Sequence, residues 1–441
     1  MRHSSSFGAA HSQQRQAEWR MARMDTKQMN GACTIVSPNY LPYARTLAKS
    51  YTEQHPSDSF SVLIVADIRD KTAFDGESFN VVFLDEIGLE NITRLAMKYS
   101  ILELNTNVKP TFMKHLLRQQ DFEKLVYLDP DIYIYCPLQP IFELLESADV
   151  VLIPHITSPM DRGLVPSEQD FLQSGTYNLG FVAVRRSSNA DSLLDWWEAR
   201  CLEQGFSELR TGLFVDQKWM NLAPALFDGV ALCKHPGCDM AYWNLHERAL
   251  ELKGDRFLVN GIYALCFYHF SGIVVDDSRS LSKYTDSYTL EVRPDLVRIF
   301  DNYKREVIRN RDGIADDIPY GFDRFSDGTM VTSLARRIFA AHEKQFSGNP
   351  FMLGGSFYNF AYSKGLIKNQ NSMQNAGLRE FDRKDKRVQA VNRLLRLTLR
   401  LLGPYRYELL MKYLGHIAVL RNQSILISDK GWEAGKAIED A

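Results

Sequence analysis

The sequence predicts an α/β protein with a mainly parallel sheet and a helical C-terminal extension. Three observations predict it. Short apolar runs alternate with helical periodicity between about residues 32 and 204, the pattern of β-α units around a parallel sheet. Two carboxylates, Asp129 and Asp131, interrupt the otherwise apolar run 125–135. Beyond about Thr285 the pattern turns helical and more charged.

The elements follow in order. Residues 32–37 read as a short buried strand, followed by Pro-Asn-Tyr-Leu-Pro. Residues 43–55 have a helical pattern, with Ala44, Leu47, Ala48 and Tyr51 on one face. Strands are expected at 60–66, ending at Asp67, and at 80–84; a helix starting at Pro110 runs to Gln119. Residues 125–128 and 150–153 are the fourth and fifth strands. A polar loop, 154–177, leads through Asn178-Leu-Gly180 into a strand at 181–184. A helix at 190–204 carries Trp196 and Trp197, and 257–270 holds two strand-like pieces ending in His269-Phe-Ser-Gly272. Ligands of such sheets gather at the carboxyl ends of strands, where Ser37, Asp67 and Asp129 fall.

The expected organisation is a disordered tail at 1–30, a catalytic domain at 31–290, a mainly helical extension at 291–375 and a basic amphipathic helical region at 376–441. The tail is rich in Ser, Gln, Arg and Met and has no signal-peptide apolar core. Met21, Met24 and Met29 leave a later start open. In the last region, leucines cover one face of 391–402 and arginines the other. Such a helix either lies on an anionic membrane surface or packs against the catalytic domain, so a peripheral membrane contact through 379–421 is one of two readings.

The chain has 441 residues, 45% of them hydrophobic, enough for a sizeable core. A net charge of −2 argues against a nucleic-acid partner, and no apolar run approaches the length of a membrane span. The cysteines are Cys33, Cys136, Cys201, Cys233, Cys238 and Cys266. None form a CxxC pair, and the cluster Cys233, His235, Cys238 lacks a second half, so no zinc site is expected. A reduced, cytoplasmic protein is the simplest reading.

Asp129 and Asp131 carry the chemistry. Side chains at i and i+2 of extended backbone point the same way, and Pro130 donates no ladder hydrogen bond. Two carboxylates at a strand end suit a hard divalent cation shared with a diphosphate. The plainer alternative is a polar turn in a hairpin.

An ordered series of segments over roughly residues 32–285 carries a family resemblance: 34–40 (Thr-Ile-Val-Ser-Pro-Asn-Tyr), Lys109-Pro110, 127–131 (Tyr-Leu-Asp-Pro-Asp), 177–180 (Tyr-Asn-Leu-Gly), 215–219 (Val-Asp-Gln-Lys-Trp) and 268–272 (Tyr-His-Phe-Ser-Gly). The chain resembles nucleotide-sugar-dependent glycosyltransferases of the GT-A fold, above all the retaining galactosyltransferase-like group called family 8 and its bacterial polysaccharide-biosynthesis relatives. The resemblance implies that Asp129, Asp131 and His269 hold the metal, Mn²⁺ in preference to Mg²⁺ because an imidazole joins the carboxylates. It implies donor contacts for Asn39, Tyr40, Lys109, Asp129 and Asn178. Asp216 and Gln217 are placed around the donor sugar, with an N-cap as the alternative for Asp216. The family's usual Lys-Pro-Trp after the glycine is missing, since Gly272 is followed by Ile-Val-Val-Asp-Asp; Lys283 is the expected replacement. Trp243, Asn244 and His246 are expected at the sugar or acceptor, with Trp243 alternatively in the core. The turn-rich aromatic loop 319–328 is expected near the acceptor.

The implied activity is transfer of a sugar, with retention, from a UDP-sugar to a glycan or lipid-linked acceptor in bacterial surface polysaccharide biosynthesis. The alternatives are a sugar-1-phosphate nucleotidyltransferase, disfavoured because no Gly-rich loop follows the first strand, and a non-catalytic binding protein of the same fold.

Overall fold

The computed structural model describes residues 29–68, 70–311, 318–367 and 386–426. The tail expected at 1–30 therefore lies outside the described residues except for Met29 and Asn30, which open the first strand. The end of the basic region, 427–441, lies outside them too.

Among the described residues, fourteen strands form in chain order: β1 (Met29–Val36), β2 (Ser59–Ile64), β3 (Asn80–Phe83), β4 (Phe122–Leu128), β5 (Ile132–Ile134), β6 (Val150–Leu152), β7 (Phe181–Arg185), β8 (Ser207–Glu208), β9 (Leu213–Phe214), β10 (Val230–Leu232), β11 (Leu250–Lys253), β12 (Arg256–Val259), β13 (Tyr263–Ala264) and β14 (Phe267–His269). Seven of them make the central sheet, in the order β10-β6-β7-β4-β1-β2-β3. Four of its pairings are parallel and β7 runs antiparallel to both of its neighbours. This is a mixed, mainly parallel sheet, the α/β architecture that the sequence predicts.

The period-2 alternation of the central strands splits the core into two layers. Cys33, Ile35, Leu63, Leu125 and Tyr127 face one side. Ala32, Val36, Val62, Ile64, Val126 and Leu128 face the other. Strands covered on both faces must be apolar throughout, which is why these segments read as unbroken hydrophobic runs.

The helices Leu41–Gln54, Lys109–Gln119 and Ser188–Gln204 fall within a few residues of their expected bounds. The two strand-like pieces expected within 257–270 are β12 and β14, whereas the short edge strand β10 and the strands β11 and β13 were not expected, since their half-exposed residues show little apolar patterning.

Two expectations about the last third are corrected. The loop 319–328 is structural: Phe322 and Phe325 are buried in the sheet's own core, together with Phe339, Phe346 and Phe357. Its backbone caps the β2 end, where Asp67 N–H donates to the Tyr320 carbonyl at 3.0 Å. A turn-rich aromatic loop has the same composition at a surface as in a core, so sequence did not separate them. The helix Ser333–His342 is tied to the first half through buried Arg336, which donates to the carbonyls of Ala96, Tyr99 and Phe322.

The basic helix Lys386–Ile417 does not lay its leucines on the catalytic domain: Leu394 is 61% and Leu401 75% exposed. It breaks at Gly403, whose φ of 70° is non-helical, beside Pro404. Just beyond it, Arg421 donates to Glu208 at 2.8 Å.

Candidate active site

β4 ends at Leu128, and the chain turns through Asp129-Pro130-Asp131 into β5. The turn is pinned on both sides. Asp129 N–H donates to the Gly180 carbonyl at 2.7 Å, and Ile132 N–H to the Asp129 carbonyl at 3.1 Å. β5 pairs antiparallel with β14 so that His269 lies opposite Ile132. This register brings one end of the sheet and a distant strand to a single point.

There His269 Nε2 stands 3.0 Å from Asp131 Oδ1 and 3.9 Å from Asp129 Oδ2. One ligand atom from each of the three residues lies within 4.8 Å of the others. Tyr127 donates its hydroxyl to Asp129 Oδ1 at 2.8 Å and so orients that carboxylate. Burial works against a charged His269 ring, but the carboxylates of Asp131 and Asp239 outweigh it and push the ring up to about 10.

Two features show that the space suits a cation. Asn178 Oδ1 is buried without a hydrogen-bond partner. A Cβ at Gly180 would stand 2.4 Å from His269 Cε1, 2.8 Å from Asn178 Oδ1 and 2.9 Å from Asp129 Oδ2. Glycine is required there because any side chain would fill the space between the three groups. Two carboxylates and one imidazole are an ordinary donor set for Mn²⁺ or Mg²⁺.

Lys109 and Asp216 meet, but below the cleft. Lys109 is 1% exposed; its ammonium pairs with Asp216 Oδ2 at 2.6 Å, donates to the Leu179 carbonyl and lies 4.3 Å from the centre of the Tyr127 ring. The direct donor contact expected of Lys109 is thus replaced by a buried ion pair, and Lys109 acts on Asp129 through its charge. Asp216 is neither an open sugar acceptor nor an N-cap. Burial pushes its carboxyl up to about 6, with Lys109 pulling it back. Replacing Lys109 by Met strands the buried Asp216 carboxyl. The expected loss is about 3–5 kcal/mol of unfolding free energy by urea titration, and Lys109→Met with Asp216→Leu should recover much of it.

Gln217 accepts from Leu179 N–H at 3.1 Å and donates to the Ser174 carbonyl at 3.0 Å, which fixes the loop into β7. Asn178 lies on that loop, its amide 3.4 Å from His155 Nε2.

A cavity of about 370 Å³ opens in front of the acid pair. Ser37, Asn39, Tyr40, Asp129, Asp131 and Lys283 are among its lining residues, so sites expected from far-apart segments do converge. Tyr40 is 41% exposed and stacks on Tyr43 at 5.0 Å, presenting a ring to the cavity. Lys283 arrives because its N–H donates to the Gly272 carbonyl at 2.9 Å. Gly272 has φ +72°, and a Cβ there would stand 2.5 Å from Ser282 Oγ and from Tyr284, so glycine lets the two loops touch. A second cleft, of about 640 Å³ and including Glu86, Lys114, His115 and Glu198, shares no lining residue with this one.

Trp243 and Asn244 are corrected. Trp243 is buried, edge-on to His269 at 5.2 Å, and supports that ring instead of facing a sugar. Asn244 is fully buried; its side chain bonds Ala241 N–H and the carbonyls of Asp239 and His155. His246 is half-buried with Nε2 3.3 Å from the Ser158 carbonyl.

Sequence reasoning missed Asp239 and His155. Asp239 is fully buried with Oδ1 3.5 Å from His269 Nδ1, the arrangement that sets a metal-binding imidazole's orientation and basicity. It sits between Cys238 and Met240 without a motif, and nothing in the sequence points to it. His155 packs on Trp243, and burial pushes its ring down to about 4.

No protein-family profile matches the chain. "Uncharacterized protein YfnF" of Bacillus subtilis is 30% identical over 252 residues, which are 54% of this chain and 80% of that protein. Among solved structures, the galactosyltransferase LgtC in complex with donor and acceptor sugar analogs is 17% identical; the match covers 48% of this chain and 76% of that one at a TM-score of 0.32. The glycosyltransferase GlyE of Streptococcus pneumoniae TIGR4 is 13% identical, covering 68% and 67% at a TM-score of 0.37. These scores are too low for the structural likeness to carry an argument.

Proposed function

For a chain that belongs to the family of Bacillus subtilis YfnF, we propose the activity of a metal-dependent glycosyltransferase that moves a sugar from a nucleoside diphosphate sugar to an acceptor hydroxyl. One observation carries this reading: Asp129 and Asp131 converge with buried His269 and line a cavity that Asn39, Tyr40 and Lys283 also line. Carboxylates beside an exposed aromatic ring and a lysine are the groups that a cation, a nucleobase and a diphosphate need.

Asp129, Asp131 and His269 would hold Mn²⁺ or Mg²⁺, which when bound neutralises negative charge on a departing diphosphate. The other residues position and screen. Tyr40 offers a stacking face to a base, with Asn39 beside it for polar contact. UDP is the favoured nucleotide on the sequence resemblance. The Lys283 ammonium supplies positive charge where the family's lysine is absent. Asn178 offers its unpartnered carbonyl oxygen next to the reacting groups, and Gln217 keeps the loop beneath it in place.

Retention by a front-face route suits these residues. A double displacement needs a carboxylate nucleophile free to reach the anomeric carbon. Asp216 is committed to Lys109, and the carboxylates among the described cavity-lining residues are Asp129 and Asp131. The acceptor hydroxyl then gives its proton to the leaving phosphate oxygen. The exposed Leu/Arg helix Lys386–Ile417 suits a lipid-linked acceptor at an anionic membrane face, as in surface polysaccharide synthesis. No described helix is long and apolar enough to cross a membrane.

The test is a thermal-shift screen of nucleotide sugars with and without Mn²⁺. A metal-dependent rise in melting temperature for uridine nucleotides above other bases is expected, since a ligand that binds the folded state stabilises it. Equal shifts for every base, or none with metal, would reject the donor assignment. Pyrophosphate release from a nucleoside triphosphate and a sugar phosphate would indicate a nucleotidyltransferase instead.

A further inference from the structure

Three residues, His235, Cys238 and Cys266, meet at one point, and Cys233 lies on the same turn. Cys233 follows edge strand β10, and its N–H donates to the Leu152 carbonyl at 2.9 Å. The chain then turns, with Cys238 N–H donating to the His235 carbonyl at 3.0 Å. Cys266, just before β14, is laced onto that turn by its own N–H to the Gly237 carbonyl at 2.7 Å. The approach is close: a Cβ at Gly237 would stand 1.9 Å from the Ala264 carbonyl oxygen.

The side chains converge as tightly as the backbone. One ligand atom each from His235, Cys238 and Cys266 lies within 4.8 Å of the others. Cys238 Sγ is 3.8 Å from His235 Nδ1. Cys233 lies on the same turn, two residues before His235, and is buried. Cys233, Cys238 and Cys266 are each 2% exposed or less. Gly237 N–H donates to His235 Nδ1 at 3.2 Å, so zinc binding through Nδ1 would take that lone pair over from the amide. With Zn–S near 2.3 Å and Zn–N near 2.0–2.1 Å, a tetrahedral site sets its ligand atoms roughly 3.5–3.8 Å apart, the spacing found between Cys238 and His235.

We propose that His235, Cys238 and Cys266, completed by Cys233 from the same turn as the fourth ligand, form a closed structural Zn²⁺ site that staples the edge strand β10 to β14, the strand bearing His269. Three thiolates and a neutral imidazole are a soft donor set with no open position, which selects zinc in a structural role. On binding, three thiol protons leave to solvent and the site carries one net negative charge. Arg248, 3% exposed, answers that charge and donates to the Cys238 carbonyl at 2.7 Å. Cys136, whose Sγ lies 3.8 Å from the Pro137 carbonyl, is left outside the ligand set. The site explains how Asp239, next to Cys238, and His269, three residues past Cys266, are held in register at the catalytic end. Local spacing did not predict it because the second half arrives from another strand.

The test is elemental analysis of the full-length protein after dialysis against EDTA. About one zinc per chain is expected, retained in Cys33→Ser, Cys136→Ser and Asp131→Ala and lost in Cys238→Ser and Cys266→Ser. Cobalt reconstitution of the wild-type chain gives a second readout that needs no variant: thiolate-to-cobalt charge-transfer absorption and tetrahedral d–d bands. A metal-free protein with reactive thiols, a native Cys136–Cys266 or Cys233–Cys238 disulfide by mass spectrometry, or zinc that vanishes with Asp131→Ala would each overturn the site. None of these readouts depends on sugar transfer, so the staple stands or falls separately from the proposed activity.

Discussion

Asp131→Ala is expected to lower sugar transfer by about a hundredfold or more while the chain stays folded. The carboxylate lies 3.0 Å from His269 Nε2 at the cavity wall. Its removal leaves Asp129 and His269 as two ligands of a site that needs three, and losses of two to three orders of magnitude are typical when charge stabilisation at a reacting oxygen is removed. The fold should survive because the Asp131 side chain is 20% exposed and belongs to no apolar cluster. Truncation therefore opens no core cavity of the kind that costs several kcal/mol. The measurement pairs initial rates across a Mn²⁺ titration with a circular-dichroism melt. Near-normal transfer by a folded variant would remove Asp131 from the metal site.

Gly180→Ala is the second large effect, and it acts by volume alone. The added methyl would meet His269 Cε1 at 2.4 Å and Asp129 Oδ2 at 2.9 Å, well inside contact distance. Neither neighbour can yield freely. Asp129 is anchored through its own N–H to the Gly180 carbonyl, and His269 is wedged between Trp243 and Asp239. Strain of about 1–3 kcal/mol is expected from the overpacking. A displacement near 1 Å at the ligands should cost about a hundredfold in rate. Metal affinity by calorimetry should fall along with turnover. A variant with wild-type Mn²⁺ binding and turnover would mean that the space between the three groups is not used.

Much of the site was legible because its parts lie at strand ends within recognisable segments. Asp129 and Asp131 could be placed from a local rule, since alternation and a proline fix how two carboxylates leave a strand. Tyr40, Asn39 and Lys283 were named singly, and the cavity joins them. The errors fell on buried polar residues. Lys109, Asp216 and Asn244 have the same side-chain chemistry whether they face substrate or one another, and their partners lie on other segments. Lys109 reads as a donor contact until its ammonium is seen on Asp216 and Leu179. Asp239 was missed, and the Cys233-His235-Cys238 turn was read as lacking a second half, for the same reason: the partner, His269 or Cys266, lies on a different segment.

The sequence alone determined the α/β class, six of the seven central strands to within a few residues and the acid pair at the end of β4. Hydrophobic alternation and proline geometry act over a few residues and leave their mark directly in the order of side chains. Tertiary structure decided which polar groups face the cavity and which are consumed in pairs. It also drew the loop 319–328 into the core and left the leucines of the last helix without cover. Burial and pairing are properties of three-dimensional neighbours, and those neighbours exist only once distant segments have met.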